Sequence, residues 1–288
     1  MVATGCGRIG FDSFDSAVPD PCALGPFMPA YDLALNTTND DLSPEISADG
    51  LTLYFASTRA LGQPYDLWIA SRAARAAPFD PPQPIGELNT AADETDPSIS
   101  LDQLTLYFRS DRAGTADIYV SVRASPTNSF APPMSVTGLD DAVAYDADPA
   151  ISGDGLEIFF LSDRAGGVGA QDIWTATRND VSASFGPPRN LVEVNSTAAD
   201  RAPFLSPDGL SLYFSSSRSG SQSLDVYVAT RIAPALPFAP PMRIGVIATT
   251  DIDDDPSVTA DGRELFLSSD RPGGVGTNDV WSAKRDCL

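Results

Sequence analysis

The chain has 288 residues, with 39 acidic and 18 basic side chains, a formal charge of −21 and no histidine. The missing histidine excludes Ser-His-Asp and Cys-His nucleophiles, His-ligated zinc and an imidazole pH switch. The charge opposes a nucleic-acid backbone or an anionic membrane surface as partner. Apolar residues reach 42%, too many for a disordered acidic chain. No run of 18 apolar residues is present to span a membrane. Asp outnumbers Glu by 33 to six. Asp favours turns and caps whereas Glu favours helices, so many turns and few helices are expected.

Taken in chain order, five segments repeat one pattern: Pro44 to Arg72, Pro97 to Arg123, Pro149 to Arg178, Pro203 to Arg231 and Pro256 to Arg285. Each opens Pro-x-(Ile/Val/Leu)-(Ser/Thr), then carries a turn aspartate: Asp49, Asp102, Asp154, Asp208 or Asp261. An apolar run follows, such as Leu51 to Phe55, then an arginine: Arg59, Arg112, Arg164, Arg218 or Arg271. Each unit closes on Asp-(Ile/Leu/Val)-(Trp/Tyr), with Trp68, Tyr119, Trp174, Tyr227 and Trp281 in one column. The arginines are spaced by 53, 52, 54 and 53 residues, a regularity that fixes a repeat architecture.

Three strands are legible in each unit. Strand a is Pro-x-Ile-Ser, and the Asp-Gly turn makes a hairpin because Gly accepts positive φ. Strand b is apolar on both faces and must be covered on both. Strand c bears the aromatic column. A Phe stands seven residues after the last Arg of each of the first four units, at Phe79, Phe130, Phe185 and Phe238. Proline-rich strand d follows it, suited to an outer edge where a missing N–H costs little.

Four antiparallel strands in each of five units predict an all-β propeller of five blades. Leu106-Tyr-Phe-Arg-Ser-Asp-Arg112 and Ser268 to Trp281 resemble the WD40-like PD40 repeat of TolB-type propellers in bacterial cell envelopes. The resemblance covers roughly residues 27–285. TolB-type propellers usually have six blades, so six is the alternative count. The fifth unit has no strand d after it, whereas Phe27 to Thr37 matches Phe79 to Thr90 with one residue fewer. The N-terminal strand is therefore expected to complete the last blade, with residues 27–288 as one propeller and 1–26 as a tether.

That closure places Cys22 and Cys287 at the same point of the repeat and predicts a disulfide between them, implying an oxidising compartment. Ala3-Thr-Gly-Cys6 resembles the end of a bacterial lipobox, which makes Cys6 a lipidation candidate, although the basic and apolar parts of a signal peptide are absent. The expected location is periplasmic or on the cell surface.

For the site, an acid stands three residues before each strand-a proline: Asp41, Glu94, Asp146, Asp200 and Asp253. A second precedes the proline directly in three units, at Asp96, Asp148 and Asp255, with Ser43 and Ala202 in the others; Asp251 and Asp254 add to the last unit. In a propeller, strand a lines the channel and the d–a loop its mouth, so these acids are expected around one opening. One reading is a site for Ca²⁺, another hard cation or a cationic ligand. The other is that Arg59, Arg112, Arg164, Arg218 and Arg271 neutralise them and fasten adjacent blades. No other cofactor is expected. The Gly-rich loops 165–171 and 272–278 lack a phosphate loop's Lys-(Ser/Thr) pair; if a partner binds off-axis, they are candidate contacts.

The leading functional reading is a monomeric, non-enzymatic binding module for an envelope protein or glycan. A five-bladed glycoside hydrolase is the alternative. It requires two suitably placed carboxyls, and the blade-specific Glu157 and Glu264 lie away from the expected mouth. A third reading is a structural propeller of a larger envelope assembly.

Overall fold

The computed structural model describes residues 24–60, 64–139, 141 and 143–287. Cys6, Cys22 and nearly all of the expected tether lie outside the described residues. β1 (Tyr31–Asp32) precedes four complete blades. Blade one holds β2 (Asp41–Ile46), β3 (Thr52–Ser57), β4 (Asp66–Ser71) and β5 (Gln83–Pro84). Blade two holds β6 (Glu94–Ile99), β7 (Thr105–Ser110), β8 (Asp117–Val122) and β9 (Met134–Ser135). Blade three holds β10 (Asp146–Ile151), β11 (Glu157–Ser162), β12 (Asp172–Thr177) and β13 (Arg189–Asn190). Blade four holds β14 (Asp200–Leu205), β15 (Ser211–Ser216), β16 (Asp225–Thr230) and β17 (Met242–Arg243). Blade five holds β18 (Asp253–Val258), β19 (Glu264–Ser269) and β20 (Asp279–Lys284), and β1 pairs with β20 as its fourth strand. The fold is a five-bladed β-propeller, closed by the N-terminal strand as the repeat register predicts.

The two-sided apolar pattern of strand b has the expected consequence. Leu53, Tyr54, Phe55 and Ala56 of β3 are all fully buried. Each core cluster lies between neighbouring blades. Tyr54, Leu67, Ile85 and Leu88 of blade one, for example, meet Ile99, Leu106, Phe108, Tyr119 and Phe130 of blade two. Burying a side chain of this size stabilises by about 1.5–3 kcal/mol, so the blade junctions hold most of the apolar burial.

Strand a is where the structure departs from simple alternation. It begins at the first acid, three residues before the proline, and not at the proline. The register of every a–b pair then slips, between Leu42 and Glu45 in blade one and at the equivalent place in the other four. At each slip the residue before the proline is left-handed: Ser43, Asp96, Asp148, Ala202 and Asp255 have φ of 51°, 54°, 49°, 50° and 50°. A proline disfavours right-handed helical backbone in the residue before it. Asp tolerates the left-handed region better than most residues. The result is a fivefold bulge that turns one side chain per blade to the axis.

Candidate functional site

The two acid columns have different fates. Asp41, Glu94, Asp146, Asp200 and Asp253 are fully buried, and none lines the axial cavity. Each turns beneath the d–a linker. Asp41 accepts from Thr37 N at 2.6 Å, Ser57 Oγ at 2.5 Å and Arg59 Nη2 at 2.5 Å. Glu94 accepts from Thr90 N at 2.7 Å, Ser110 Oγ at 2.7 Å and Arg112 at 3.1 Å. Arg164 pairs with Asp146 at 2.8 Å and Arg218 with Asp200 at 2.5 Å, and Arg271 pairs with Asp253. Placing these five acids at the channel mouth is therefore corrected: the strand starts early enough for the linker amides to cap them.

The arginine column is corrected in part. Its ion pairs lie within a blade, not between blades. What crosses the junction is a second bond from the same Nη2 to a linker carbonyl that follows the preceding blade's outer strand. The acceptors are Leu35, Leu88, Leu139, Val194 and Ile247. Each guanidinium also stands over the aromatic of strand c, at 4.8–5.5 Å from the ring centre. This places the aromatic column, including all three Trp, against a cation.

A second arginine column, used above only to mark the end of each unit, fastens the blades. Arg123 donates to Tyr54 Oη at 2.8 Å and Arg178 to Tyr107 Oη at 3.2 Å, each reaching the preceding blade. Arg285 bonds Tyr213 likewise. Blades three and five have Phe159 and Phe266 where the others have this tyrosine. There Glu157 takes Arg231 at 3.2 Å, and Glu264 takes Arg72 at 2.5 Å. The two blade-specific glutamates are thus clasps. The signal in the sequence is a joint change: Tyr to Phe, Thr or Ser to Glu, and Ile or Val on strand c to Thr175 or Ser282. Both hydroxyls donate to the new carboxylate.

The Gly-rich loops fold back over the ring. Asp172 accepts from Val168 N at 2.6 Å and Gly169 N at 3.1 Å, and Asp279 accepts from Gly276 N at 3.0 Å. A Cβ on Gly276 would lie 2.3 Å from Asn39 O and 2.8 Å from Thr37 O on the next linker. Gly276→Ala is expected to cost about 1–3 kcal/mol, because backbone cannot yield as a side-chain tip can. An unchanged midpoint of urea unfolding would refute that close approach.

Asp96, Asp148 and Asp255, with Ser43 and Ala202, reach the axis. With the five prolines they wall a cavity that leaves about 40 Å³ to water-sized molecules. Ser43 Oγ donates to Asp96 at 2.8 Å, while Ser43 N and Ser268 Oγ donate to Asp255 at 3.2 and 2.8 Å. Ala202 N donates to Asp148 at 2.9 Å. Burial, aided by Asp96, Asp255 and Asp254, holds the Asp148 carboxyl well above the usual carboxylate range. Burial, with Asp254 and Asp96, pushes Asp255 up to about 8. Deeper in the channel, burial pushes Glu45 up to about 8, although Ile99 N donates to it at 3.3 Å. Glu45, Ala150 and Phe204 separate this cavity from a second one, of about 30 Å³, beneath. Arg201 pairs with Asp254 beside the axial group. Arg201 and Glu45 leave no trace in the repeat pattern, because each occurs in one blade only. Among the described residues no group of three or more acidic or cysteine side chains is disposed to hold a metal ion, so the Ca²⁺ expectation finds no ligand set.

No family model matches the sequence, and no curated protein matches it. Solved structures do. A TolB from Acinetobacter baumannii superposes with a TM-score of 0.51 at 16% identity, covering 86% of this chain and 55% of that one. The chain therefore spans about half the length of that TolB. A thermostable family-43 glycoside hydrolase gives 0.58 at 16% identity, covering 90% and 92%. A GH62 α-L-arabinofuranosidase catalytic domain from Coprinopsis cinerea gives 0.58 at 11% identity, covering 93% and 98%. Identities this low support the propeller fold alone. Among the described residues no helix is long and apolar enough to cross a membrane.

Proposed function

We propose that this chain is a TolB-like, non-enzymatic binding module of the bacterial cell envelope. It presents its b–c loop face and channel mouth to a protein or glycan partner. The size of the axial cavity is the main support. Some 40 Å³ holds a water or two and no sugar ring, whereas a small-molecule site typically offers about 300 Å³ or more. The blade-specific glutamates that could have served catalysis are bound to arginines. The test is direct. Aryl arabinofuranosides and xylosides incubated with the chain should stay intact, while cross-linking in envelope extracts should trap a partner through the loop face. Turnover that disappears in Asp148→Asn would overturn the reading.

One observation favours the glycoside-hydrolase reading. Asp148 and Asp255 stand on inner strands with raised proton affinity, as a general acid requires. The same substrate assay decides between the two.

The envelope reading includes lipidation at Cys6 and a Cys22–Cys287 disulfide. Support for the bridge comes from Leu24, two residues past Cys22, which pairs with Cys287, and from Gly25 N, which donates to Asp286 O at 2.9 Å. Non-reducing peptide mapping should recover Cys22 and Cys287 as one linked pair. Two separately alkylated peptides would remove the bridge and, with it, this argument for an oxidising compartment.

A further inference from the structure

The lower end of the channel is built differently from the upper. Its walls take one aliphatic side chain from each blade: Ile46, Ile99, Ile151, Leu205 and Val258. The cavity they enclose reaches the a–b turns, at Ala48, Leu101, Gly153 and Pro207, on the side of the ring opposite the b–c loops. Its floor is Glu45, with Ala150 and Phe204. Burial holds the Glu45 carboxyl up at about 8, so at pH 6.5 the floor carries no charge that calls for a cation. The turn of blade two stands apart from the rest. Where the other blades have Ala48, Gly153, Pro207 and Ala260, it presents Leu101, 51% exposed. Two residues on, Gln103 has a left-handed φ of 59°, whereas the other four turns have glycine there. That backbone costs a non-glycine residue about 1–2 kcal/mol. Outside the apolar mouth stand the turn aspartates. Asp49, Asp102, Asp154 and Asp208 are exposed, each with one oxygen tied to its own turn, on Leu51 N, Leu104 N, Leu156 N and Leu210 N. Among the described residues the fifth, Asp261, takes Arg75, and none of the other four has an ion pair. The arginines behind these turns, Arg72, Arg123, Arg178 and Arg231, direct their donors inward to turn carbonyls and to the junction groups described above.

We propose that the lower mouth docks a segment of a partner protein, which inserts one aliphatic side-chain tip between the five aliphatic walls and sets lysines or arginines on either side of it against Asp49, Asp102, Asp154 and Asp208. This surface lies at the other end of the ring from the b–c loop face, so it goes beyond the reading above and does not depend on it. Size and charge select the occupant. The cavity leaves about 30 Å³ to water-sized molecules, room for a methyl or two at the end of a valine or leucine and too little for an aromatic ring. An apolar centre with a charged rim is the usual anatomy of an interface, and the rim sets the sign of the partner's flanks. A second copy of this chain would bring the same acidic collar against the first. Residues 1–23 carry three aspartates and one arginine, again the wrong sign for this rim. The exposed Leu101 extends the apolar wall outward, where it meets the stem of the inserted side chain. Strain of the kind seen at Gln103 gathers at sites that meet a ligand or partner.

The experiment is methyl NMR of the full chain with labelled isoleucine, at pH 6.5 and low salt, titrated with acetyl-Lys-Lys-Leu-Lys-Lys-amide. Saturable shifts are expected in the methyls of Ile46, Ile99 and Ile151. The same peptide with alanine in place of leucine should bind at least fivefold more weakly. Acetyl-Glu-Glu-Leu-Glu-Glu-amide should leave these methyls unmoved, and salt should weaken the lysine peptide, since the rim charges are exposed. The combined variant Asp102→Asn, Asp154→Asn and Asp208→Asn keeps the turn acceptors, and it should weaken binding at least fivefold. If that variant fails to fold, the peptide and salt comparisons on the wild-type chain decide alone. No shift at millimolar lysine peptide overturns the proposal, as does equal binding of the leucine and alanine peptides or of the variant and wild type. Two further results would reassign the well and so overturn it. One is movement of these methyls with protein concentration alone, which gives the well to a second copy. The other is contact between them and residues 1–23 in the free chain. If envelope cross-links form through the b–c loop face while these methyls stay still, this inference falls and the binding-module reading stands.

Discussion

The chain is expected to lose stability as pH rises from about 5 to about 8.5, the reverse of the acid-side loss typical of folds with many ionised carboxylates. The axial groups set the sign. Glu45 and Asp255 are both pushed up to about 8, and Asp148 is raised in the same direction. Well below pH 4 such a group is protonated in the folded and the unfolded chain alike, and its contribution is intact. As pH climbs, the unfolded chain ionises first while the folded chain still holds the proton. Folding therefore grows costlier until pH passes the folded value near 8. For Glu45 the shift from 4.5 to about 8 corresponds to about 5 kcal/mol at most, and water entry into the channel would reduce it.

Glu45 is the cleanest probe, because burial dominates its shift and its one opposing influence is the Ile99 N–H at 3.3 Å. Asp255 is less clean, since Asp254, Asp96, Arg201 and Ser268 all act on it. Glu45→Gln keeps the shape and removes the titration. The variant is expected to match the wild type near pH 4 and to exceed it by a few kcal/mol at pH 8.5, measured by urea unfolding at closely spaced pH values. A wild-type curve that is flat or rises over this interval would show that the channel hydrates Glu45 well enough to keep it ionised.

The reason these groups escaped the sequence pattern is geometric. The fivefold register, the hairpin turns, the strand order and the closure by residues after Phe27 follow from local repetition and were legible. So was the pairing of Asp41 and its equivalents with Arg59 and its equivalents, weighed as one of two readings. What a pattern of period two cannot show is which acid faces the axis. A bulge shifts the pairing by one residue and exchanges faces, and here the shift sits between Leu42 and Glu45 and at its four equivalents. Asp41 is thereby carried into the blade, while the Ser43 position and Glu45 are carried to the channel. Arg201 and Glu45 break the repeat at single positions, so their partners depend on neighbours 53 or more residues away, as with Arg201 and Asp254.

The blade clasps lead to the second large effect. Arg72 and Glu264 meet across the junction of blades one and five, 192 residues apart in sequence, with side chains 3% and 4% exposed. Removing one partner of a buried pair leaves an uncompensated charge and costs about 3–5 kcal/mol. Glu264→Thr is expected to fall in that range, softened by any water that follows the lost carboxylate. The repeat itself supplies the rescue. Blades one, two and four solve the same problem with a tyrosine, as Tyr54 does for Arg123, in a setting of Thr52 on the same strand and Ile69 opposite. Installing that set in blade five requires Glu264→Thr, Phe266→Tyr and Ser282→Val together. The new phenol then takes the Arg72 guanidinium, and the change at Ser282 removes a hydroxyl that would have lost its acceptor. The triple variant is expected to recover to within about 1 kcal/mol of wild type, a coupling well above the ~0.3–0.5 kcal/mol of independent sites. Urea unfolding of the single, double and triple variants measures it. A loss under about 1 kcal/mol in Glu264→Thr, far below the range for a broken buried pair, would show that the clasp is incidental to ring closure. Failure of the tyrosine set to rescue would show that the two chemistries are not interchangeable solutions to one junction.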